Sequence, residues 1–330
     1  MFRVTVLIPL LLLIASVACS NNSQLNMHGG GWSEISITHD NLIRYFRVYH
    51  PEKLKENPDV VFVLHGGNQS MRKIFKTRAG GSQEWQTIAD NKGFLLIAPN
   101  AVNVNTGDTK GNKQNWNDCR LSVEGNGSSS KADDVGFIEE LIEWSHKHYQ
   151  TNLNRVYLTG VSNGGMMTYR LMTELGQHFT AAAVFIANQP EQTDCMQAGH
   201  PLPLMIMNAT EDPLILWQGG QILNKGVILL SAEDTLKFWL KVNRLSMTAH
   251  VIYLADVDEN DGSYIIKKEF NAKDKNSKDL WFYEVRGGGH TMPSIKHDVP
   301  MLARWFLGKQ NKDLEAAQEA WNFMSRYSAK

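Results

Sequence analysis

The chain has 330 residues, with 33 Lys and Arg against 34 Asp and Glu, a formal net charge of −1, and 42% hydrophobic residues. That length can bury a substantial core, and that composition is ordinary for a globular protein. With no basic excess and no Lys/Arg run, a nucleic-acid partner and charge-driven binding to an anionic surface are both excluded.

Residues 1–18 carry one basic residue, Arg3, followed by an apolar stretch that ends in small residues. The stretch is short for a bilayer span and has the layout of a secretory signal. Its end, Ser16-Val17-Ala18-Cys19, resembles the lipobox of bacterial lipoproteins, in which the cysteine is lipidated and becomes the first residue. Ser16 stands where Leu is usual, so plain cleavage of the signal is the alternative. Ser20 after the cysteine, rather than Asp, fits outer-membrane sorting. The polar stretch that completes residues 19–31 reads as a flexible tether. The expectation is an exported protein, periplasmic or extracellular, held at a membrane through Cys19.

Along the rest of the chain, "WSEISI" and "IRYFRVYH" alternate and lie close together, which predicts an antiparallel hairpin. Nearly continuous apolar runs follow at 60–64, 94–100, 155–160, 181–187 and 203–210, as expected for strands covered on both faces. Helical patterns separate them, at about 82–91, 133–149, 163–175 and 232–243. In the second, Phe137, Leu141, Trp144 and His148 recur at helical spacing, with Asp133 or Asp134 available as N-cap. Such β-α alternation implies an α/β fold with a mainly parallel, doubly wound sheet. Three late strands, "AHVIYLA", "SYIIKKEF" and "LWFYEV", suggest a second antiparallel addition. The last pattern spaces Leu314, Ala317, Trp321 and Met324 as a helix. With no internal repeat and no linker composition, one catalytic domain over 32–308 and a C-terminal helix within 309–330 is the economical division.

Three cysteines less Cys19 leave Cys119 and Cys195, a pair that can bridge in an oxidising compartment. Two unrelated free thiols are the alternative.

The chemistry centres on "GVSNGG", which places Ser162 between Gly160 and Gly164, after a predicted strand and at the start of a predicted helix. This is the context of a nucleophile elbow, in which a strained turn lifts the serine oxygen above the sheet. Asn163 then offers its backbone N–H to an oxyanion, and a second donor is expected from the loop after an earlier strand. "LHGGN" supplies Gly67, with Asn68 close behind, while His65 reads as a structural hydrogen-bonding residue. Asp212, just before Pro213, is the candidate acid, with Glu211 as the alternative. His290, after three glycines, is the candidate base, since His297 falls at the start of the closing helix. The order Ser162, Asp212, His290 is the chain order of α/β-hydrolase triads.

"LHGG", "DDVGFI", "GVSNGGMM", "TEDPLI", "SAEDTLKFWL" and "GGGHTMP" together resemble the polyhydroxybutyrate depolymerase/feruloyl esterase-like group of α/β-hydrolases, related to carbohydrate esterase family 1. The resemblance spans residues 30–308 approximately, and it implies the same triad. Met292 departs from the group, in which Trp commonly follows "GGGHT"; this leaves an apolar wall but no flat ring. Trp116 and Trp217 lie in loops expected near the site, where they can stack on a sugar or an aromatic acyl group or simply pack. "DVDENDG" is set aside as a calcium loop, because its glycine is one place late and Lys267 stands where Glu is needed.

The expected activity is ester hydrolysis through an acyl-enzyme with no metal or organic cofactor. The substrate is expected to be a small or oligomeric ester, either a feruloyl or acetyl ester of a sugar or a short hydroxyalkanoate ester. The alternatives are hydrolysis of polyhydroxybutyrate polymer and a catalytically silent binding protein on a hydrolase scaffold.

Overall fold

A tight hairpin forms one edge of the molecule. In this computed structural model, which describes residues 30–120, 130–191, 193, 195, 199–222 and 228–329, β1 (Gly31–His39) and β2 (Leu42–His50) pair antiparallel across Asp40 and Asn41. Both turn residues have positive φ, 47° and 58°, which is the type I′ geometry whose twist suits adjacent strands. The strand begins at Gly31, the last residue assigned to the tether. The signal segment 1–18 and Cys19 lie outside the described residues.

The apolar runs form β3 (Val60–Leu64), β4 (Leu95–Pro99), β5 (Val156–Val161), β6 (Ala181–Phe185) and β7 (Leu204–Ala209). Between them run α1 (Glu84–Lys92), α2 (Asp134–Tyr149) and α3 (Asn163–Glu174). A small ribbon of β8 (Gly220–Gln221) and β9 (Ile228–Leu229) precedes α4 (Ala232–Val242). The chain continues as β10 (His250–Tyr253), β11 (Tyr264–Phe270) and β12 (Leu280–Arg286), then α5 (Met301–Leu307) and α6 (Ala316–Met324).

Ten strands make one sheet in the order β1-β2-β4-β3-β5-β6-β7-β12-β11-β10. The strands from β4 to β12 are parallel, and antiparallel strands flank them on both sides. Here the late strands need a correction. "LWFYEV" belongs to the parallel core, because β12 pairs parallel with β7 while β11 and β10 add antiparallel beyond it. The reason is burial: six of the seven β12 residues are buried, as a two-face-covered strand requires.

Successive strand residues point to opposite faces, so Phe62 and Leu64 enter one half of the core and Val61 and Val63 the other. Helices α2, α3 and α4 cover the first face, through residues such as Phe137, Met167 and Trp239. The second face is covered by α1 and α6, where Trp321 stacks on Phe94 with ring centroids 4.3 Å apart. Among the described residues no helix is long and apolar enough to cross a membrane.

At the N-terminus of α2 the two aspartates divide the work. Asp133 is the N-cap, accepting from the Gly136 N–H at 2.9 Å. Asp134 is fully buried and pairs with the buried Arg44 of β2, while its second oxygen accepts the Asn117 N–H at 2.7 Å. Arg44 lies over the Phe137 ring, 4.1 Å from its centroid, and donates to the Asn100 carbonyl. Asp134→Ala leaves this guanidinium buried without its counter-charge. Its urea midpoint is expected to fall by an amount equivalent to about 3–5 kcal/mol; a change under about 1 kcal/mol would refute this role.

Candidate active site

The sheet brings the chemistry together because the chain reverses direction across it at β3. From β3 it crosses outward to β4, and from β5 it crosses the other way to β6. Loops at the C-terminal ends of β3 and β5 therefore part from one another, opening a crevice at the switch point. His65-Gly66-Gly67 leaves β3 there, and Ser162 leaves β5. Asp212 follows β7 and His290 follows β12, at the same end of the sheet.

Ser162 has φ 56° and ψ −121°, a conformation that costs a non-glycine residue about 1–3 kcal/mol. The turn holds because its backbone is bonded on both sides: the Ser162 N–H donates to the Phe185 carbonyl at 3.0 Å, and its carbonyl accepts from Met166 at 3.0 Å. Any Cβ at Gly164 would strike the carbonyl oxygens of Leu64 and His65, and one at Gly160 would strike the Gly164 carbonyl. Only glycine permits this crossing of helix over strand. The Ser162 hydroxyl has no hydrogen-bond partner among the described residues and faces the cavity.

Asp212 and His290 meet across 78 residues of sequence. The His290 Nδ1–H donates to Asp212 Oδ2 at 2.7 Å, which leaves Nε2 as the ring nitrogen without that bond. Oδ1 of Asp212 accepts the N–H groups of Leu214 and Ile215, both at 2.8 Å, so the carboxylate cannot swing. The histidine backbone is held in turn by its N–H to the Leu307 carbonyl at the end of α5. Glu211, the alternative acid, is 64% exposed and pairs loosely with Lys309. His297 is engaged with Glu84 at 3.2 Å.

Ser162, Asn163, Gly67, His290 and Met292 line one cavity of about 220 Å³, with Ile74, Ile186, Ile215 and Leu307 among its apolar walls. The Gly67 and Asn163 backbone N–H groups have no acceptor among the described residues, whereas the Asn68 N–H donates to Asn115 Oδ1 at 3.3 Å. Gly67 is therefore the freer of the two donors expected from that loop. A Cβ at Gly67 would lie 2.9 Å from Asn115 Oδ1, so a larger residue there would have to displace that side-chain amide.

Two expected substrate contacts need correction. Trp116 is fully buried, stacked near His65 with its Nε1–H on the His65 carbonyl at 2.8 Å. Trp217 packs against Phe282 with centroids 5.9 Å apart and does not line the cavity. Both rings are captured by the core, where their area buries more completely than at a polar rim. Met292 does line the cavity, its sulfur accepting the Ser82 hydroxyl at 3.1 Å. Asn115, Gln69 and Arg120 also reach the cavity. Sequence reasoning missed them because they lie in loops without periodicity. Cys119 and Cys195 form a disulfide with Cα atoms 5.9 Å apart.

No protein-family model matches the sequence. A bifunctional acetylxylan esterase/xylanase from Neocallimastix patriciarum is 26% identical over 176 residues, 53% of this chain and 22% of that protein. A poly(3-hydroxybutyrate) depolymerase from Ralstonia pickettii is 29% identical over 176 residues, 51% of this chain and 33% of its own. Among solved structures, an acetyl xylan esterase from Aspergillus awamori superposes with a TM-score of 0.55 at 16% identity, covering 84% of this chain and 99% of that one. The chain has the α/β-hydrolase fold. Its relatives are acetylxylan esterases, feruloyl esterases and a poly(3-hydroxybutyrate) depolymerase, as the sequence motifs implied. The matched stretch spans only 22% and 55% of the length of two acetylxylan esterases among them.

Within this fold, both ring nitrogens of His65 are taken up by backbone groups. Its Nδ1–H faces the Gly66 carbonyl at 2.8 Å, and Nε2 accepts the Ala101 N–H at 3.2 Å. Burial pushes its pKa down from 6.5 to about 4. The unfolded chain therefore binds a proton that the folded protein refuses, and stability falls as pH drops from 6.5 toward 4. From pH 7 to pH 4.5 this one group is expected to remove about 2 kcal/mol. Urea titrations at both pH values check it: His65→Gln should flatten that part of the slope, and an unchanged slope in a folded variant would refute the assignment.

Proposed function

We propose that this protein is a serine carboxylic-ester hydrolase that works through an acyl-enzyme. One observation carries the reading: Ser162 sits on a strained turn in the same cavity as His290, which is bonded to Asp212, and two backbone N–H groups unbonded among the described residues. His290 Nε2 takes the proton from Ser162, whose oxygen attacks the ester carbonyl. Asp212 holds the imidazole in the required tautomer and stabilises its charged form. The Gly67 and Asn163 N–H groups receive the oxyanion. The protonated His290 then releases the alcohol, and the same histidine activates the water that frees the acid.

The substrates proposed are feruloyl or acetyl esters of sugars, or short hydroxyalkanoate esters. A cavity of about 220 Å³ with isoleucine walls suits a compact acyl group, and the names of the relatives point the same way. Export fits the Cys119–Cys195 disulfide, which needs an oxidising compartment. Anchoring through lipid at Cys19 remains part of the proposal on sequence grounds alone. Ser162→Ala is expected to keep its fold and lose about 10⁴-fold or more of its turnover of p-nitrophenyl acetate. It should also lose labelling by a fluorophosphonate. A folded Ser162→Ala protein with near-normal turnover would sink the proposal, and absence of Ser162-dependent labelling in the wild type would favour a binding-only protein.

A second reading, hydrolysis at the surface of a solid polyester, is favoured by α5. Met301, Leu302, Trp305 and Phe306 are 80%, 80%, 84% and 76% exposed, and the Leu307 that ends this helix lines the cavity. Such a crown beside a site is unusual on a soluble surface. On this reading Trp305→Ser/Phe306→Ser slows erosion of a poly(3-hydroxybutyrate) film about 10-fold while p-nitrophenyl acetate turnover stays within about two-fold of wild type. Equal film erosion by variant and wild type would remove the reading.

A further inference from the structure

The oxyanion donors must hold position to within about 0.5 Å to be useful, yet the Ser162 side chain contributes no bond to the turn. The side-chain anchor at the start of α3 is Asn163. Its amide Nδ2–H donates to Asp118 Oδ2 at 2.5 Å, and its amide oxygen accepts the Trp116 N–H at 2.8 Å. Asn163 is 3% exposed, and the Asp118 side chain is fully buried.

Asp118 sits in a segment that is itself immobilised. Its other oxygen lies 3.0 Å from Arg120 Nε and also accepts the Arg120 N–H at 3.4 Å. Cys119, between them, has φ 60° and is tied to Cys195 by the disulfide. The segment thus presents the carboxylate from a fixed backbone that belongs to neither β5 nor α3.

The charge arrangement has its own logic. A lone buried carboxylate beside the site of a developing oxyanion would oppose that charge. Burial also pushes the Asp118 carboxyl upward, and Arg120 is the strongest influence pulling it back. The neighbouring guanidinium opposes that rise and favours the carboxylate form, which accepts the stronger hydrogen bond. Its positive charge stands against any negative charge on Asp118, and Arg120 itself lines the cavity.

We infer that Asp118 is a positioning residue: through the Asn163 side chain it clamps the first turn of α3 and so aims the Asn163 backbone N–H at the oxyanion. The inference rests on the esterase reading above and goes beyond it, because Asp118 touches neither Ser162 nor His290 among the described contacts. A clamp of this kind acts on the transition state rather than on the bound ester, so it should appear in kcat and not in KM.

The test is a double-mutant cycle with Asp118→Asn, Asn163→Ala and both together. Asn163→Ala removes the anchor while Asp118 keeps Arg120 beside it, so the cycle does not depend on Asp118→Asn alone. Thermal melts report folding, and p-nitrophenyl acetate gives kcat and KM. Inhibition by phenylboronic acid, which forms a tetrahedral adduct on a catalytic serine, reports on transition-state complementarity. Each single variant is expected to lose about 10- to 100-fold in kcat with KM within about two-fold. Its boronate inhibition constant should rise by the same factor as kcat/KM falls. The double variant should lose no more than the worse single, because the Asp118–Asn163 linkage that both variants break is already gone in each. Three outcomes would overturn the inference: wild-type kcat in either folded single variant, strictly multiplicative losses in the double, or a boronate affinity that does not follow kcat/KM. A wild type that hydrolyses no ester and takes no fluorophosphonate overturns the esterase reading itself, whereas an active wild type with undisturbed variants overturns only the clamp.

Discussion

Everything at the site depends on how closely the start of α3 crosses the end of β3. With no Cβ at Gly160 or Gly164, the helix backbone settles against the Leu64 and His65 carbonyls. That contact fixes where Ser162 turns, where the Asn163 N–H points, and how near the Gly67 loop lies. A single methyl group at Gly164 would push the helix off the strand, and every other distance would change with it. The strained φ of Ser162 is tolerable because β5, β6 and α3 hold its backbone at both ends.

Around that contact, each buried carboxylate is held by more than one internal partner. Asp212 accepts two backbone N–H groups besides the histidine. Asp118 is shared between Arg120 and Asn163, and Asp134 between Arg44 and Asn117. Each is a buried carboxylate whose removal strands a donor, so these sites are rigid and expensive to alter. One end of the parallel sheet carries the candidate site residues, and two apolar half-cores pack on the faces of the sheet that presents them. The rim is built differently. The histidine loop is bonded to the end of α5, whose own apolar side chains face outward. The same backbone therefore links the candidate base to the most exposed apolar surface of the described structure.

Local chemistry in the sequence was enough to establish the α/β alternation, the five buried parallel strands and five of the helices, because continuous apolar runs and 3.6-residue spacing report burial directly. It was also enough to single out Ser162, Asp212 and His290, since each sits at a strand end in a glycine- or proline-marked turn. Tertiary structure alone decided the rest. Whether "LWFYEV" joined the parallel core or an antiparallel flank depended on its neighbour β7, which lies more than 70 residues earlier. Asp133 and Asp134 are equivalent as caps until Arg44 claims one of them. Trp116 and Trp217 are equally suited to stacking on a ligand or on the core, and only packing shows that the core holds both. The Asp118–Asn163 linkage joins a loop to the start of α3, 45 residues apart. Short-range pattern records what a residue prefers to do, but which partner satisfies it is settled only when the sheet brings distant loops to the same end.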